Sequence, residues 1–168
     1  INRLKSRKAM VKVLLVCMGN ICRSPLAEGV VRCLADRAGM GAFVEVDSAG
    51  TLAYHAGEQP DPRARKVAAS RGYDLSKMRA RRVAEDDFSH FDLVLAMDRQ
   101  NLAALERVCP EEHLHKLRLF MDYAEDRELD EIPDPYYGGP DGFERVLDLC
   151  AAAARGLIAS IAGRKGRC

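Results

Sequence analysis

A nine-residue stretch with the sequence CMGNICRSP carries a cysteine, an arginine and a serine at a spacing that suits phosphate chemistry. Cys17 and Arg23 are separated by five residues, and Ser24 and Pro25 follow directly. A short loop of this kind can curl so that successive backbone N–H groups point into one concavity, which binds an oxyanion. The guanidinium can hold two oxygens of that anion, and the same positive field favours a thiolate. These residues predict a sulfur nucleophile beneath a bound phosphate.

The residues between Cys17 and Arg23 are expected to shape this loop. Gly19 and Asn20 tolerate a positive φ, which a tight curl tends to require. Ser24 can donate its hydroxyl to the thiolate, and we predict that it is the N-cap of a following helix. The phosphate would then contact the backbone N–H groups and neighbouring side chains of the loop, which belong to Met18, Gly19, Asn20, Ile21, Cys22 and Ser24.

Two other functions of such a loop fit the residues poorly. A nucleotide-binding P-loop ends in Gly-Lys-Ser or Gly-Lys-Thr, and no such sequence follows the apolar run. A zinc site needs ligands at closer spacing than Cys17 and Cys22, and only His113 and His115 show it. We therefore expect no metal and no cofactor, because the loop N–H groups and Arg23 supply the positive electrostatics.

A phosphate ester also needs an acid that protonates the departing oxygen, and Asp134 is the best candidate. Pro133 and Pro135 restrict the backbone on both sides, so that the carboxyl group is aimed in one direction. Tyr136 and Tyr137 follow and can wall a cleft for an aromatic leaving group. The alternative reading of Asp134 is a turn residue in an acidic loop.

The elements that position these residues alternate between strands and helices. Residues 11–16 (VKVLLV) form a nearly continuous apolar run, which is typical of a strand buried on both faces of a parallel sheet. Further strands are predicted over 43–50, 91–97 and 115–120, and helices over 24–38, 63–71, 99–107 and from 143 onward. This order predicts an α/β fold with a doubly wound, four-stranded parallel sheet flanked by helices. The ligand would bind beyond the carboxyl ends of the strands.

Length and composition bound the class of protein. The 168 residues suffice for one domain, which we assign to residues 10–168. Residues 1–9 carry four basic side chains and no acid, and we treat them as an added extension or a disordered arm. Apolar residues make up 48% and charged residues 30%, which excludes an intrinsically disordered chain. A net charge of +1, without an uninterrupted apolar run of ~20 residues, favours neither nucleic acid nor a membrane as partner.

Several separated motifs, in order, make the chain from about Val11 to about Ala162 resemble the low-molecular-weight protein tyrosine phosphatases. The first is the C-x5-R-S-P loop that begins at Cys17. The others are Asp-Ser-Ala-Gly-Thr at 47–51, Pro-Asp-Pro-Arg at 60–63, Ala-Met-Asp at 96–98 and Asp-Pro-Tyr-Tyr-Gly at 134–138.

This resemblance implies a role for each candidate residue. Cys17 is the nucleophile, Arg23 holds the phosphate and Asp134 is the general acid. The residues that shape the loop or line the substrate cleft are Asn20, Ser24, Ser48, Tyr54, Tyr136 and Tyr137. Asp98 lies close to the base of the site, where it can orient Arg23. For Ser48 and Asp98, a purely structural hydrogen bond is an equal alternative.

The implied reaction is hydrolysis of phosphotyrosine in proteins through a phosphocysteine intermediate. A phosphotyrosine-containing protein is the expected substrate, with a tyrosine kinase as one candidate, and phosphate or another oxyanion is an expected inhibitor. The chain is expected to be a monomer or a weak dimer. Because the N-terminal sequence does not match a signal peptide, we expect a reducing, cytoplasmic location and no structural disulfides. In the resemblance Cys22 is a second thiol that can form a reversible disulfide with the nucleophile; the alternative is a buried packing thiol.

Two other enzymes can share this fold and loop. A thiol-linked arsenate reductase would need resolving cysteines near residues 80–95, and the sequence has none between Cys33 and Cys109. A protein arginine phosphatase usually carries threonine where this chain has Ile21, so an apolar residue there favours phosphotyrosine. A regulatory phosphate-binding module would be expected to lose Cys17, Arg23 or Asp134, and all three are present.

Overall fold

The strands form one parallel sheet in the order β2-β1-β3-β4. This computed structural model describes residues 10–166, apart from positions 126, 137 and 140 and the side chains of 164–166. The strand bounds are β1 Val11–Cys17, β2 Val44–Gly50, β3 Leu93–Ala96 and β4 Leu117–Leu119. The helix bounds are α1 Arg23–Arg37, α2 Pro62–Ser70, α3 Glu85–His90, α4 Arg99–Val108 and α5 Asp141–Gly166. Two 3-10 segments, Glu111–Lys116 and Phe120–Tyr123, flank β4.

The central strand β1 sets the level at which the functional loops emerge. In the parallel register Cys17 pairs with Gly50 at the end of β2, and Val16 pairs with Ala96 at the end of β3. The carboxyl ends of β1, β2 and β3 are therefore level. The loops that follow them meet at one edge of the sheet, as expected for a doubly wound fold.

Alternate residues of β1 enter two different cores, because successive strand side chains point to opposite faces. Val13 and Leu15 pack with apolar residues of α1, α2 and α5 on one face. Leu14 and Val16 pack on the other face with Phe88 of α3 and its neighbours. The predicted four-stranded parallel sheet with helices on both faces is thus confirmed.

Several predicted boundaries were wrong for identifiable reasons. Helix α1 begins at Arg23, with Cys22 in the N-cap position, so Ser24 is not the N-cap. Its hydroxyl contacts the Cys17 sulfur instead. Strand β4 is shorter than the predicted 115–120, because 3-10 turns occupy both of its ends.

Helix α3 was not predicted, since its six residues, EDDFSH, carry too little periodicity to indicate a helix. Its first turn is stabilised by Asp87, whose side chain accepts a hydrogen bond from the Ala84 N–H at 2.7 Å. Asp87 also pairs with Arg81 at 2.9 Å, which links α3 to the segment that precedes it. Tertiary contacts of this kind decide the structure of a segment too short to fold on its own.

Helix α5 is long and apolar enough to cross a membrane by length and composition. Its apolar residues are used inside the fold, where Val146, Leu147, Ala154 and Leu157 are fully buried. At Gly156 the helix passes so close to the second 3-10 segment that an added Cβ would lie 1.7 Å from the Tyr123 carbonyl oxygen. The hydropathy of α5 is therefore that of a helix packed into a protein core.

Candidate active site

The loop after β1 wraps around the sulfur of Cys17. The backbone N–H of Asn20 donates to Cys17 Sγ at 3.2 Å, and Ser24 Oγ lies 3.0 Å from the same sulfur. Asn20 has a φ of 58°, so the predicted left-handed turn is found at this residue. Gly19 tolerates a positive φ as well but does not adopt one. Its missing side chain instead allows close packing, because an added Cβ would lie 3.1 Å from the His55 ring.

The side chain of Asn20 joins the loop to its surroundings. Its Nδ2 donates to Ser24 Oγ at 2.8 Å and to Ser48 Oγ at 3.0 Å, while its Oδ1 accepts from the Arg81 N–H at 3.0 Å. Ser48 in turn donates to Glu28 Oε1 at 2.6 Å. All of these polar groups are inside the protein, where an unpaired donor or acceptor is costly. The network therefore holds the loop in one conformation.

The end of β2 supports the loop from below. Thr51 N donates to the Cys17 carbonyl at 2.9 Å, and Leu52 N donates to the Met18 carbonyl at 3.1 Å. An added Cβ at Gly50 would lie 2.7 Å from the Met18 carbonyl oxygen, so only glycine fits at this position. This close approach gives a physical reason for the glycine of the 47–51 motif.

Arg23 is buried, and its guanidinium lies between two carboxylates. Nη1 contacts Asp98 Oδ2 at 2.5 Å, and Nη2 is 3.9 Å from Asp134 Oδ2. Nη1 also donates to the Ile132 carbonyl at 3.0 Å. Burial on its own would lower the pKa of Arg23, but Cys17 and Asp98 outweigh it and raise that pKa overall. The guanidinium therefore stays charged, and its position is set from below by Asp98.

Asp134 overhangs the loop, with its side chain about one third exposed. Its Oδ1 accepts a hydrogen bond from the Tyr136 N–H at 3.0 Å, which leaves Oδ2 as the oxygen nearer Arg23. Asp134 stands between Pro133 and Pro135, and it lines the same cavity as Cys17 and Arg23.

A cavity of about 320 Å³ opens above the loop. Its floor is formed by Cys17 and Arg23, and Asp134 and Tyr136 stand on one side. The other lining residues are Met18, Gly19, Ile21, Cys22, Leu52, Tyr54 and His55. Tyr137, which the sequence also assigned to the cleft, lies outside the described residues. The cavity combines an anion site at the bottom with apolar and aromatic walls, which suits an aryl phosphate.

Two lining residues, Leu52 and His55, were not assigned to the site from the sequence. His55 Nδ1 lies 2.9 Å from Glu58 Oε2, and its ring meets Tyr54 edge-on at 4.8 Å between centroids. The signal that could have found them is that the predicted strands 11–16 and 43–50 end at the same edge of a parallel sheet, so the loop after Gly50 has to pass the Cys17 loop.

Arg63 is a third residue that the sequence analysis did not assign. Its guanidinium donates to the Tyr136 carbonyl at 3.1 Å, lies 5.3 Å from the Tyr136 ring centroid and pairs with Asp61 at 2.9 Å. The Asp61 N–H donates to the Ile21 carbonyl at 2.7 Å. The start of α2 thereby connects the Cys17 loop to the segment that carries Asp134.

Cys22 shares the loop but has a different environment from Cys17. Burial, together with Asp61 and Cys17, raises the pKa of Cys22 to about 12. Both cysteines are free thiols. The surroundings of Cys22 thus keep it a neutral thiol at physiological pH.

The chemistry available here is that of a thiol group facing a site that can bind an oxyanion. The sulfur lies among an N–H donor, a hydroxyl group and the first turn of α1, each of which stabilises negative charge. Across the part of the chain that the structure describes, no three His, Cys, Asp or Glu side chains come together to hold a metal ion.

Comparison with known proteins agrees with this geometry. The chain matches the sequence model of the low molecular weight phosphotyrosine protein phosphatase family over residues 12–166. A low molecular weight protein-tyrosine-phosphatase from Streptomyces coelicolor is 47% identical over 154 residues, which cover 89% of this chain and 93% of that protein.

Solved structures of tyrosine phosphatases have the same fold as this chain. A protein tyrosine phosphatase from Entamoeba histolytica, solved with Hepes in the active site, superposes with a TM-score of 0.89 at 42% identity, over 92% of this chain and 99% of that one. Wzb from Vibrio vulnificus, solved in complex with benzylphosphonate, superposes with a TM-score of 0.79 at 30% identity, over 90% and 99% of the two chains. With the loop, the buried arginine and the overhanging acid all in place, the chain belongs to the low molecular weight protein-tyrosine-phosphatase family and has that family's activity.

Proposed function

We propose that the chain hydrolyses phosphotyrosine in proteins by two displacements at Cys17, with Arg23 as phosphate clamp and Asp134 as general acid and base. The observation that carries this assignment is the arrangement around one cavity. Cys17 Sγ has Asn20 N–H at 3.2 Å and Ser24 Oγ at 3.0 Å, and the buried guanidinium of Arg23 faces Asp134 across 3.9 Å. A nucleophile, an anion clamp and an acid are the three parts that metal-free phosphate transfer needs.

In the first step the Cys17 thiolate attacks phosphorus in line with the ester oxygen. The S–P bond forms as the P–O bond to the tyrosine breaks, and Asp134 gives its proton to the departing phenolate. Arg23 and the loop N–H groups hold the other three oxygens, on which charge accumulates. The first products are phosphocysteine and the free tyrosine side chain.

In the second step water replaces the enzyme sulfur on phosphorus. Asp134, now ionised, accepts a proton from the water as the new P–O bond forms and the S–P bond breaks. Ser24 donates to the Cys17 sulfur as it leaves as a thiolate. Phosphate is released, and the Cys17 thiolate and the Asp134 acid are restored.

The walls of the cavity support an aromatic substrate. Leu52, Tyr54 and Tyr136 stand above the phosphate site, and Ile21 presents no polar group. The Vibrio vulnificus relative binds benzylphosphonate, in which an aromatic ring is joined to a phosphorus oxyanion. We accordingly propose a phosphotyrosine protein as substrate, with a tyrosine kinase as one candidate, and inorganic phosphate as a competitive inhibitor.

The test is a comparison of matched substrates in the presence of a chelator. Peptides of one sequence that carry phosphotyrosine, phosphoserine or phosphoarginine are assayed for phosphate release, and arsenate is assayed for reduction. We expect turnover of phosphotyrosine only, unchanged by chelator and absent from Cys17→Ser. Preferred turnover of phosphoarginine, reduction of arsenate or a requirement for metal would contradict the proposal.

A further inference from the structure

A buried carboxylate, Glu28, lies at the far end of the hydrogen-bond chain that reaches Cys17. Glu28 belongs to α1, is only 4% exposed and lies outside the substrate cavity. Ser48 Oγ contacts its Oε1 at 2.6 Å, and Arg32 Nη2 contacts its Oε2 at 2.7 Å. A buried acid needs partners of this kind, but here one partner leads directly to the nucleophile.

The donor and the acceptor of each hydrogen bond between Glu28 and Cys17 can be assigned by starting from the Arg81 N–H. The Arg81 N–H can only donate, so it fixes the amide oxygen of Asn20 as the acceptor facing it. The Asn20 amide nitrogen then donates both of its hydrogens, one to Ser24 Oγ at 2.8 Å and one to Ser48 Oγ at 3.0 Å. Both hydroxyl oxygens are therefore acceptors toward Asn20.

Each hydroxyl has one hydrogen left to donate. Ser48 gives its hydrogen to Glu28. Ser24 can give its hydrogen to Cys17 Sγ at 3.0 Å or to the Ala49 carbonyl at 3.5 Å, and the shorter contact is the one to sulfur. A proton on Glu28 Oε1 would face the Ser48 hydroxyl and leave the hydrogen of that hydroxyl without an acceptor. The arrangement is consistent only when Glu28 accepts.

We propose that Glu28 is a positioning residue for catalysis: as the acceptor for the Ser48 hydroxyl, it holds Ser48 against Asn20 and so keeps in place the Ser24 hydroxyl that donates to the Cys17 thiolate. With the acceptor removed, the Ser48 hydroxyl hydrogen is buried without a partner, and a movement of Ser48 that relieves this cost displaces Asn20 and loosens its hold on Ser24. The thiolate then loses part of its donor. This inference rests on the proposed role of Cys17 as nucleophile.

The surroundings of Glu28 explain why an acid is kept in such a costly place. Burial raises the pKa of Glu28, and the hydrogen bonds from Ser48 and Arg32 act against that rise. Arg32 is half-exposed and also donates to the Val46 carbonyl at 2.9 Å, so it is held over the carboxylate rather than free in solvent. A residue needed only for packing would be more stable as an apolar side chain.

The decisive comparison is between Glu28→Gln and Glu28→Met, which both remove the charge. Glutamine keeps an oxygen that can accept from Ser48, whereas methionine fills a similar volume and offers no strong acceptor. Alkylation of Cys17 by iodoacetate, followed by mass spectrometry across pH, reports the thiolate directly. Glu45→Met, on strand β2, is the matched control, since Glu45 pairs with His90 and takes no part in the chain.

We expect the pH midpoint of Cys17 alkylation to rise by about one unit in Glu28→Met. Below the midpoint, this shift lowers the fraction of Cys17 present as thiolate about tenfold, and kcat should fall by the same factor there. Glu28→Gln should stay within about threefold of the original protein, and Glu45→Met should not differ from it. Adding Ser48→Ala to Glu28→Met should produce little further change, because both break one chain. If Glu28→Met does not fold, Glu28→Leu makes the same test.

Two outcomes would overturn the inference. One is an unshifted alkylation profile in Glu28→Met; the other is an equal shift in Glu28→Gln, which would assign the effect to charge instead of to the acceptor. Failure of the proposed function is distinguishable, because it would appear in the substrate assays as preferred turnover of phosphoarginine, reduction of arsenate, a requirement for metal or activity that survives Cys17→Ser. In that case the alkylation profile would still report the hydrogen-bond chain.

Discussion

Asp98 uses its two carboxylate oxygens for two different tasks, one of which is to hold Arg23. Oδ2 contacts Arg23 Nη1 at 2.5 Å, while Oδ1 accepts from the Asn101 N–H at 2.7 Å and caps helix α4. The N-cap residue of α4 thereby also positions the phosphate clamp. Substrate binding and helix capping can be separated by substitutions at this one residue.

Asp98→Asn should weaken catalysis without unfolding α4. The amide oxygen can still cap the helix, but an NH2 group would face the guanidinium and the charge-assisted hydrogen bond would be lost. Such bonds contribute about 1.5–3 kcal/mol, so kcat/KM for an aryl phosphate should fall by about tenfold to a hundredfold. Asp130→Asn removes a carboxylate from a surface pair with Arg99 and is the control, with no change expected. Full activity in Asp98→Asn would show that Arg23 is positioned without it.

Asp134→Asn should slow the reaction in a way that depends on the leaving group. The asparagine keeps an oxygen for the Tyr136 N–H, so the segment should hold its place, but it has no acidic proton to give. We expect kcat to fall by about 10²–10⁴ for phenyl phosphate and far less for p-nitrophenyl phosphate, whose leaving group needs little protonation. Steady-state kinetics with a series of phenols measure the difference. An equal loss for both substrates would remove Asp134 as the acid.

Cys22 should react slowly with alkylating agents near neutral pH. Its pKa is raised to about 12, mainly by burial and by Asp61, and only the thiolate is nucleophilic. A raised pKa means that the thiolate fraction grows about tenfold with each pH unit below 12. Iodoacetamide labelling of Cys22 in Cys17→Ser should therefore keep accelerating up to about pH 11. A rate that levels off near about pH 9, as it does for a thiol of ordinary pKa, would contradict the shift.

Mild peroxide should link Cys17 to Cys22. Peroxide oxidises the Cys17 thiolate to a neutral sulfenic acid, which removes the Cys17 charge that helps to raise the pKa of Cys22. The Cys22 sulfur then attacks the Cys17 sulfur, and the Cys22 proton leaves with the sulfenic hydroxyl as water, so that the disulfide forms. Mass spectrometry of digested protein, with and without reductant, identifies the link, and activity should return on reduction. Cys22→Ser is the control and should lose activity irreversibly at the same dose. A link to Cys109 or Cys150 instead would revive the reductase reading of the loop.

Gly156→Ala should destabilise the fold although alanine is the better helix former. The added Cβ would lie 1.7 Å from the Tyr123 carbonyl oxygen, so helix α5 or the second 3-10 segment has to move. We expect a loss of about 2–3 kcal/mol in unfolding free energy. Gly163→Ala is the matched control on the same helix, because nothing lies within 4 Å of its added Cβ. Gly163→Ala should be neutral or stabilise by up to about 1 kcal/mol. Urea titration of both variants measures the difference.

The parts of the fold that could be predicted are those in which local pattern and tertiary packing agree. The apolar run of β1 and the regular spacing of Leu26, Val30 and Leu34 in α1 are strong signals, and both elements were placed within one or two residues. Helix α3 and the 3-10 turns around β4 are short, and contacts such as the Asp87 cap decide them. The sequence pattern does not predict such a cap, because its contribution to stability depends on how the neighbouring segment packs.

The same distinction holds for the site. Cys17, Arg23 and Asp134 stand in motifs that can be interpreted one at a time, and the structure brings all three to one cavity. Glu28 and Arg63 act through partners far away in the sequence, Ser48 and Tyr136. An acidic residue on the inward face of an apolar helix is an anomaly visible in the sequence, but only the structure shows which hydroxyl it faces.

The hydrogen bond from Arg23 Nη1 to the Ile132 carbonyl at 3.0 Å bears on how an inactive form of this protein should be made. Ile132 N donates in turn to the Met97 carbonyl at 2.8 Å, so the clamp also fastens the segment that leads to Asp134. Removing the guanidinium would release the phosphate and the acid-bearing segment together. A variant intended to trap substrates from a cell extract should therefore keep Arg23 and be altered at Cys17 or Asp134.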